Sequence, residues 1–348
     1  MNFPGRSKLR RGVNWFRGRF APGGLILMYH RVADLAPDPF RICQAPQNFA
    51  EHLEVLKRYT NPVSLQQLVQ AVREKKSLDR LVALTFDDGY ADNLYTVKPL
   101  LERYDIPATF FITTGDLQNK REFWWDELER LLLQPGTLPQ ILSLKLREQT
   151  YEWNLEEAAC YLQSASNRDR DWKWYDAESS DPSSRQRIYR SLYALLSKQS
   201  VIDRQNVMDQ LLEWAGAKNQ VRPTHRSLSA QEIQHFAQAD IVEIGSHTVN
   251  HPFLSALSGV EQQQELQQNK SHLEAIIERP VVSFAYPHGS YTSQTPALAQ
   301  AIGFNCACST RSDRVQSTVD SFELPRIEAH DGDGEVFSRQ LAQWYHLK

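Results

Sequence analysis

The chain has 348 residues, which is enough for one large domain or two ordinary ones, and its 41% hydrophobic content permits a substantial core. A net charge of -3 argues against a general nucleic-acid binder. The four cysteines include no Cys-x-x-Cys pair, so neither a structural zinc site nor a disulfide framework is indicated. Cys306 and Cys308 alternate in an apolar run and are interpreted as core thiols, which favours a reducing compartment.

The first 23 residues form a basic segment in which Phe3, Trp15 and Phe16 lie among arginines and lysines. Glycines and charges interrupt it before the apolar region of a secretory signal can form. No apolar run in the chain approaches the roughly 20 residues that span a bilayer. Residues 3–20 could contact an anionic membrane surface, and a solvated leader explains them equally well. We therefore expect a cytoplasmic protein, with peripheral contact at the inner membrane face as the alternative.

Seven apolar runs predict strands that are covered on both faces. They are residues 25–29, 81–86, 108–113, 241–246, 281–285, 304–309 and 323–328. Helical patterns separate most of them, and some begin with capping boxes such as Ser64 to Gln67 and Ser258 to Glu261. Strands that alternate with helices predict parallel pairing in an α/β architecture, and seven such units suggest a distorted, incomplete barrel.

Residues 117–225 carry no strong strand pattern and hold six of the eight tryptophans. We interpret them as a largely helical insertion, with a loop near residues 175–185, in a barrel that spans residues 24–348. Aromatic residues in such a segment are more often core than ligand platform. A substrate-binding lid that uses Trp124 or Trp125 is the alternative.

The residues that can carry chemistry follow predicted strands. Asp87 and Asp88 come directly after residues 81–86, and adjacent carboxylates are costly there unless a cation or a proton relieves them. His247 and His251 follow another strand at i, i+4 spacing. One Asp and two His are suitable ligands for a catalytic zinc ion with an open position. Because the carboxyl ends of barrel strands carry active sites, these residues together predict a metal-dependent hydrolase.

Two motifs in combination resemble those of the polysaccharide deacetylases with a NodB homology domain, carbohydrate esterase family four. They are Thr85-Phe86-Asp87-Asp88-Gly89 and His247-Thr248-x-x-His251-Pro252, and the resemblance covers residues 24–116 and 226–330. It implies a distorted seven-stranded (β/α) barrel of NodB-homology type. It also implies Asp87 as the general base and Asp88, His247 and His251 as the metal ligands. The alternative is that the two Asp cap a helix and the two His are surface residues.

The third motif of this family, Arg-x-Pro-Tyr, is altered in Phe284-Ala285-Tyr286-Pro287-His288-Gly289. Ala285 replaces the Arg that orients the base in the family. We hypothesise that Arg326 takes its place and pairs with Asp87; a surface or interdomain salt bridge is an equal alternative. The backbone N–H of His288 can still stabilise an oxyanion, and Tyr286 and Pro287 complete this candidate substrate-binding run.

The candidate general acid is His30, in Leu27-Met28-Tyr29-His30-Arg31-Val32. This run resembles the opening motif of the permuted exopolysaccharide deacetylases, in which the acid comes from the first strand. A packed histidine is the alternative reading, and His330 is a weaker candidate because it lacks the family's apolar context. The other histidines lie in helical or polar contexts and are interpreted as surface residues: His52, His225, His235, His272 and His346.

We therefore predict a hydrolase that releases acetate from an N-acetylated sugar of a polysaccharide or glycoconjugate. Zinc is the expected metal ion, although such a ligand set also accepts cobalt, nickel or iron. One alternative is a hydrolase of a small-molecule amide, imide or O-acetyl ester. Another is an inactive carbohydrate-binding homologue, which the missing Arg at Ala285 keeps open. A lipid-linked or nucleotide-linked acceptor fits the expected cytoplasmic location.

Overall fold

The computed structural model describes residues 23–118, 120–164, 172 and 181–346, except for the side chain of His346. The candidate membrane contact at residues 3–20 and most of the loop predicted near residues 175–185 lie outside the described residues. Within these described ranges, no helix combines the length and the apolar character that crossing a bilayer requires.

The strands are described first, in chain order. They are β1 Leu25–Tyr29, β2 Arg31–Val32, β3 Cys43–Gln44, β4 Asn61–Pro62, β5 Leu81–Phe86, β6 Ala108–Ile112, β7 Gly136–Thr137, β8 Ile141–Leu146, β9 Gln149–Asn154, β10 Cys160–Tyr161, β11 Val242–Ser246, β12 Ser283–Ala285, β13 Cys306–Cys308 and β14 Ile327–Glu328.

The α-helices alternate with most of these strands. They are α1 Pro46–Tyr59, α2 Leu65–Arg73, α3 Lys98–Tyr104, α4 Trp124–Leu132, α5 Ser184–Leu196, α6 Val201–Trp214, α7 Ala230–Phe236, α8 Gly259–Ile277, α9 Thr295–Ala301 and α10 Gly334–His346. Capping boxes begin α2 at Ser64 and α8 at Ser258, as the sequence predicts.

The main sheet is parallel and runs in the order β13-β12-β11-β6-β5-β1-β14, with β4 paired to β5 beside this path. It curls until residues 324–328 join its two edges. Leu324 forms a bridge with Cys308 at one edge, and Ile327 pairs with Leu27 at the other. The predicted α/β class and the distorted seven-stranded parallel barrel are confirmed.

Two of the predicted strands, 281–285 and 323–328, are shorter than expected, because side chains or a proline replace part of their backbone hydrogen bonding. The backbone N–H of Val281 donates to the Glu274 carboxylate, and its carbonyl accepts from Lys270, both on α8. Strand β12 therefore begins only at Ser283. In the last strand region, Pro325 has no N–H to donate, and β14 is limited to two residues.

The inward-facing side chains of the curled sheet form a core with α2. Ile26, Ala83 and Phe111 pack there with Leu65 and Leu68 of the helix. Both strand cysteines of β13 are fully buried in this core, as predicted.

Two histidines that the sequence analysis assigned to the surface are buried instead. His52 lies on the apolar face of α1 with Phe49 and Leu53, and its ring stacks on Phe337 at 3.9 Å. His225 is also buried, in the short 3-10 helix Pro223–His225. Their polar sequence neighbours concealed these positions because burial here depends on tertiary packing.

The chain divides into two compact units. The sheet described above belongs to one unit, and residues 35–42 and 116–227 form the other. The second unit contains α4, α5 and α6, with a core that includes Trp124 and Trp125; both are buried. It also contains the antiparallel hairpin of β8 and β9, which the expected largely helical insertion did not include. The sequence does carry a strand pattern for β8, because the buried Leu142, Leu144 and Leu146 alternate with exposed residues at the period of a strand.

Candidate active site

The candidate site residues meet at the carboxyl ends of the parallel strands. Asp87 and Asp88 directly follow β5, His247 directly follows β11, and His30 directly follows β1. His288 lies just beyond β12. Parallel strands bring their carboxyl ends to one edge of a sheet, so residues far apart in sequence become neighbours there.

Asp88, His247 and His251 form a compact buried group of possible metal ligands. The Nε2 atoms of the two histidines are 3.2 Å apart, and they lie 3.6 and 3.3 Å from Oδ1 of Asp88. Ligands about 2.0–2.1 Å from one ion in a tetrahedral arrangement are separated by about 3.3 Å, so this spacing fits a shared ion. The group can therefore hold a metal ion.

His247 is oriented for ligation through Nε2. Its Nδ1 lies 2.8 Å from the carbonyl oxygen of Ala285, and a carbonyl only accepts, so Nδ1 carries the proton. Burial lowers the pKa of His247 to about 4 and outweighs the attraction of Asp87, so the imidazole is neutral at pH 7. The lone pair on Nε2 then faces Asp88. This backbone acceptor is the outer partner that metal-bound histidines commonly have.

Two of the candidate ligands, and the residue after the third, adopt left-handed backbone conformations. Asp88 has a φ of 73°, Thr248 of 65° and His251 of 51°. Such angles are uncommon for residues other than glycine and persist where the surroundings enforce them. A hydrogen bond from the His251 N–H to Oγ1 of Thr248, at 3.1 Å, closes the turn that carries the second histidine.

Asp87 and Arg326 form a buried bidentate ion pair. Nη1 of Arg326 donates to Oδ1 at 2.7 Å, and Nη2 donates to Oδ2 at 2.8 Å. The guanidinium also donates to the carbonyl of Ser309 and to Oγ1 of Thr85. Burial opposes ionisation of Asp87, but the charge of Arg326 outweighs it and lowers the pKa of the carboxyl group. The contact hypothesised from the sequence is present, and its catalytic role stays a prediction.

His30 is half-buried beside the two carboxylates and interacts electrostatically with Asp87 and Asp88. Its backbone carbonyl accepts a hydrogen bond from Nδ2 of Asn93 at 2.9 Å. The next residue, Arg31, is held by Asp92 through bonds of 3.0 Å. The end of β1 is therefore fixed next to the candidate base.

The residues that follow β12, 286–288, differ in role: Tyr286 bonds within the protein, and His288 faces the site. The hydroxyl of Tyr286 donates to the carbonyl of Phe322 at 2.8 Å, so this buried side chain is used within the protein. The ring of His288 stacks on Phe253 at 3.9 Å and meets the ring of His251 edge-on at 4.3 Å. Pro287 is buried at the start of the short turn that presents His288.

The sequence analysis missed two residues of α8 that hold the loop between His247 and His251. Glu265 and Asn269 hydrogen-bond its backbone. Their signal is weak, because they lie in a Gln-rich stretch that resembles an ordinary solvated helix.

Comparison with known proteins identifies the family. Residues 74–137 and 183–307, more than half of the chain, match the family model described as polysaccharide deacetylase. The chain belongs to the polysaccharide deacetylase family. Membership supports a hydrolase that removes acetyl groups from carbohydrate, and it confirms the resemblance found in the sequence.

Individual relatives of the chain are distant in sequence. A Bacillus subtilis protein named as polysaccharide deacetylase YxkH is 26% identical over 108 residues, which are 30% of this chain and 37% of that protein. The chain thus spans about a third of that relative's length.

Three solved structures share the fold. The deacetylase PplD of Streptococcus pyogenes has a TM-score of 0.57 at 17% identity, with 93% of this chain and 99% of that chain covered. IcaB of Ammonifex degensii has a TM-score of 0.54 at 17% identity, with 94% and 99% covered. The BpsB deacetylase domain of Bordetella bronchiseptica has a TM-score of 0.51 at 17% identity, with 91% and 99% covered.

Proposed function

We propose that this polysaccharide deacetylase hydrolyses the N-acetyl group of a sugar, with a metal ion held by Asp88, His247 and His251. The observation that carries the proposal is the position of Asp87. It is an ionised carboxylate, paired with Arg326, and it directly precedes a metal-ligand residue without belonging to the ligand group. This arrangement supports a base that acts next to a metal ion.

A divalent ion bound by these residues would lower the pKa of a water molecule and polarise the acetyl carbonyl. Asp87 accepts the proton of the attacking water. Arg326 occupies one lone-pair direction on each carboxylate oxygen, and a carboxylate has about four such directions, so Asp87 can still accept a proton. The backbone N–H of His288 binds the oxygen that gains charge as the carbonyl is attacked.

His30 donates a proton to the sugar nitrogen as the C–N bond breaks. The new C–O bond comes from water, and the products are acetate and the free amine. Histidine suits this step because its ordinary pKa lies near the pH of the cell. The position of His30 beside Asp87 and Asp88 supports this role.

Zinc is the ion we propose, because two imidazole nitrogens and one carboxylate oxygen form a typical three-ligand zinc set with one position open. Elemental mass spectrometry on the purified chain should find about one zinc per molecule in the wild type, and far less in His251→Ala. A chain that binds no divalent ion after reconstitution would argue for the inactive carbohydrate-binding alternative.

Acetate release tests the reaction. The zinc-loaded protein should release acetate from N-acetylglucosamine oligomers faster than from small amides, imides or O-acetyl esters. Asp87→Asn and His30→Ala should keep the metal and release acetate about 10²–10⁴-fold more slowly, since this is the usual contribution of a general base or acid. Faster turnover of the small amides, imides or esters would instead favour a different substrate class.

A further inference from the structure

Helix α8 turns polar side chains toward the carboxyl ends of β6 and β11. Glu265 and Asn269 are one helical turn apart and contact the same loop, residues 247–251. Asn269 is fully buried and Glu265 half-buried. Helix faces that pack on a sheet are normally apolar, so two polar residues at this place need a specific reason.

Asn269 connects two strand ends to the ligand loop. Its Oδ1 accepts from Oγ of Ser246 at 2.6 Å and from the backbone N–H of His247 at 3.3 Å. Its Nδ2 donates to the carbonyl of Ile112 at 3.1 Å and also to the carbonyl of Thr248. The amide therefore satisfies groups on both sides of the first histidine ligand.

Glu265 holds the other half of the loop. Its Oε2 accepts from the backbone N–H groups of Val249 and Asn250, both at 2.9 Å, and its Oε1 accepts from Nδ2 of Asn250 at 2.7 Å. The loop between Thr248 and His251, both left-handed, thus has the N–H groups of its two middle residues bound to one carboxylate.

We propose that Glu265 and Asn269 are positioning residues that hold His247 and His251 in the ligand geometry before the metal arrives. Left-handed conformations are strained for residues other than glycine, so a loop without these bonds would relax to other conformations. The metal would then have to order the loop on binding, which reduces its apparent affinity. This inference rests on the metal site of the proposed function, but not on its substrate.

The Glu265–Asn250 contact allows a test by exchange of groups. Glu265→Gln leaves one acceptor oxygen for three donors, and when that oxygen keeps the two backbone N–H groups, its own amide donor faces Nδ2 of Asn250. Asn250→Asp places two carboxylates together. The double variant E265Q/N250D restores one donor and one acceptor at this contact. The zinc dissociation constant, measured by competition with a chromophoric chelator, should rise about 10–100-fold in each single variant, as for other outer partners of ligands. In the double variant, the zinc dissociation constant should return most of the way to the wild-type value.

Cobalt(II) absorption provides a second readout that stability alone does not move. The ligand-field bands of the cobalt-loaded wild type and of the double variant should coincide, while those of the single variants should broaden or shift. Glu274→Gln is the matched control, because Glu274 lies on the same helix and contacts Val281 and Lys270 instead of the loop. Its zinc affinity should equal that of the wild type.

The proposal fails if the folded single variants bind zinc as tightly as the wild type, or if Glu274→Gln weakens zinc binding equally. It also fails if the double variant is no better than the singles. Asn269→Asp, which turns the two donor contacts with the carbonyls of Ile112 and Thr248 into repulsions, should weaken zinc binding at least as much. Unchanged affinity in that variant would contradict the role of Asn269. Tight, Glu265-dependent zinc binding without acetate release would sustain this inference while the proposed reaction fails.

Discussion

Arg326 reaches Asp87 with both terminal nitrogens, at 2.7 and 2.8 Å, from the segment that joins the two edges of the sheet. The third-motif position, Ala285, is a small buried residue of β12 that pairs with Cys308. Leu324, two residues before Arg326, forms a bridge with the same Cys308. Arg326 therefore comes from a segment on the far side of β13 from β12, and its guanidinium still contacts the carboxylate of the candidate base.

Arg326→Lys should impair acetate release although it keeps the positive charge. A lysine cannot donate two parallel hydrogen bonds to one carboxylate, so Asp87 would lose its fixed orientation. Loss of a charge-assisted hydrogen bond of about 1.5–3 kcal/mol predicts a fall in kcat/KM of about 10–100-fold. The measurement is steady-state acetate release with zinc content held at one per chain.

Arg311→Lys is the control for this variant. Arg311 lies between β13 and the segment that holds Arg326, and it pairs with Asp313 at the surface, where both side chains are about half exposed. Its kcat/KM should stay at the wild-type value. If Arg326→Lys behaved like Arg311→Lys, the ion pair with Asp87 would be a structural contact without a catalytic role.

Gly289→Ala should damage the turn that presents His288. Gly289 has a φ of 66°, and a Cβ there would lie 1.8 Å from Oγ1 of Thr310. The side chain of Thr310 is close as a whole, with its own Cβ at 2.9 Å, so a rotamer change does not remove the clash. We expect a loss of several kcal/mol in the free energy of unfolding, measured by urea titration.

The double variant G289A/T310G separates the clash from the backbone strain. Removing the Thr310 side chain should recover most of the stability, and the left-handed φ should leave a deficit of about 1 kcal/mol. A double variant as unstable as Gly289→Ala would show that the damage has another cause.

The sequence predicts the main sheet well because its strands are continuous apolar runs and its motifs fall at their ends. The positions of Asp87, Asp88 and His247 follow from that pattern alone. The alternation of Leu142, Leu144 and Leu146 also predicts a strand, but the surrounding helical and tryptophan-rich pattern obscured it.

The contacts of α8 could not be predicted in the same way. Glu265 and Asn269 act through the rotation of their helix about its axis, which is set by tertiary packing. Nothing in the local sequence distinguishes Glu265 from the glutamines beside it. Left-handed backbone at Thr248 and His251 is equally hidden, since neither residue type signals it as glycine would.

His52 should make the stability of the protein fall on mild acidification. Burial lowers the pKa of His52 to about 4 and outweighs the attraction of Asp331, while its Nε2 bonds the carbonyl of Gly332 at 2.9 Å. Because the folded pKa lies below the ordinary 6.5, the stabilisation is complete above pH 6.5 and is lost as the pH falls toward 4. The loss attributable to this residue is about 3 kcal/mol.

His52→Gln isolates this contribution, because a glutamine keeps one donor and one acceptor but does not titrate. The free energy of unfolding of the wild type minus that of the variant should decrease between pH 6.5 and 4. Other groups cancel in that difference. A pH-independent difference for His52→Gln would mean that His52 titrates alike in the folded and unfolded chain.

Arg185→Lys should destabilise the second compact unit. The Arg185 side chain is buried and hydrogen-bonds only backbone carbonyls among the contacts described, those of Leu132, Gln134, Gly136, Ala158 and Ala159. Burial lowers the pKa of its guanidinium to about 10, so it remains charged at pH 7. A lysine has three donors and leaves at least two carbonyls unsatisfied, which predicts a loss of about 2–4 kcal/mol in the free energy of unfolding.

Tryptophan fluorescence during urea unfolding should report the loss caused by Arg185→Lys, because Trp124 and Trp125 lie in this unit's core. Arg187→Lys, on the same helix and largely exposed, should match the wild type; an equal midpoint for Arg185→Lys would show that these carbonyls do not need the guanidinium.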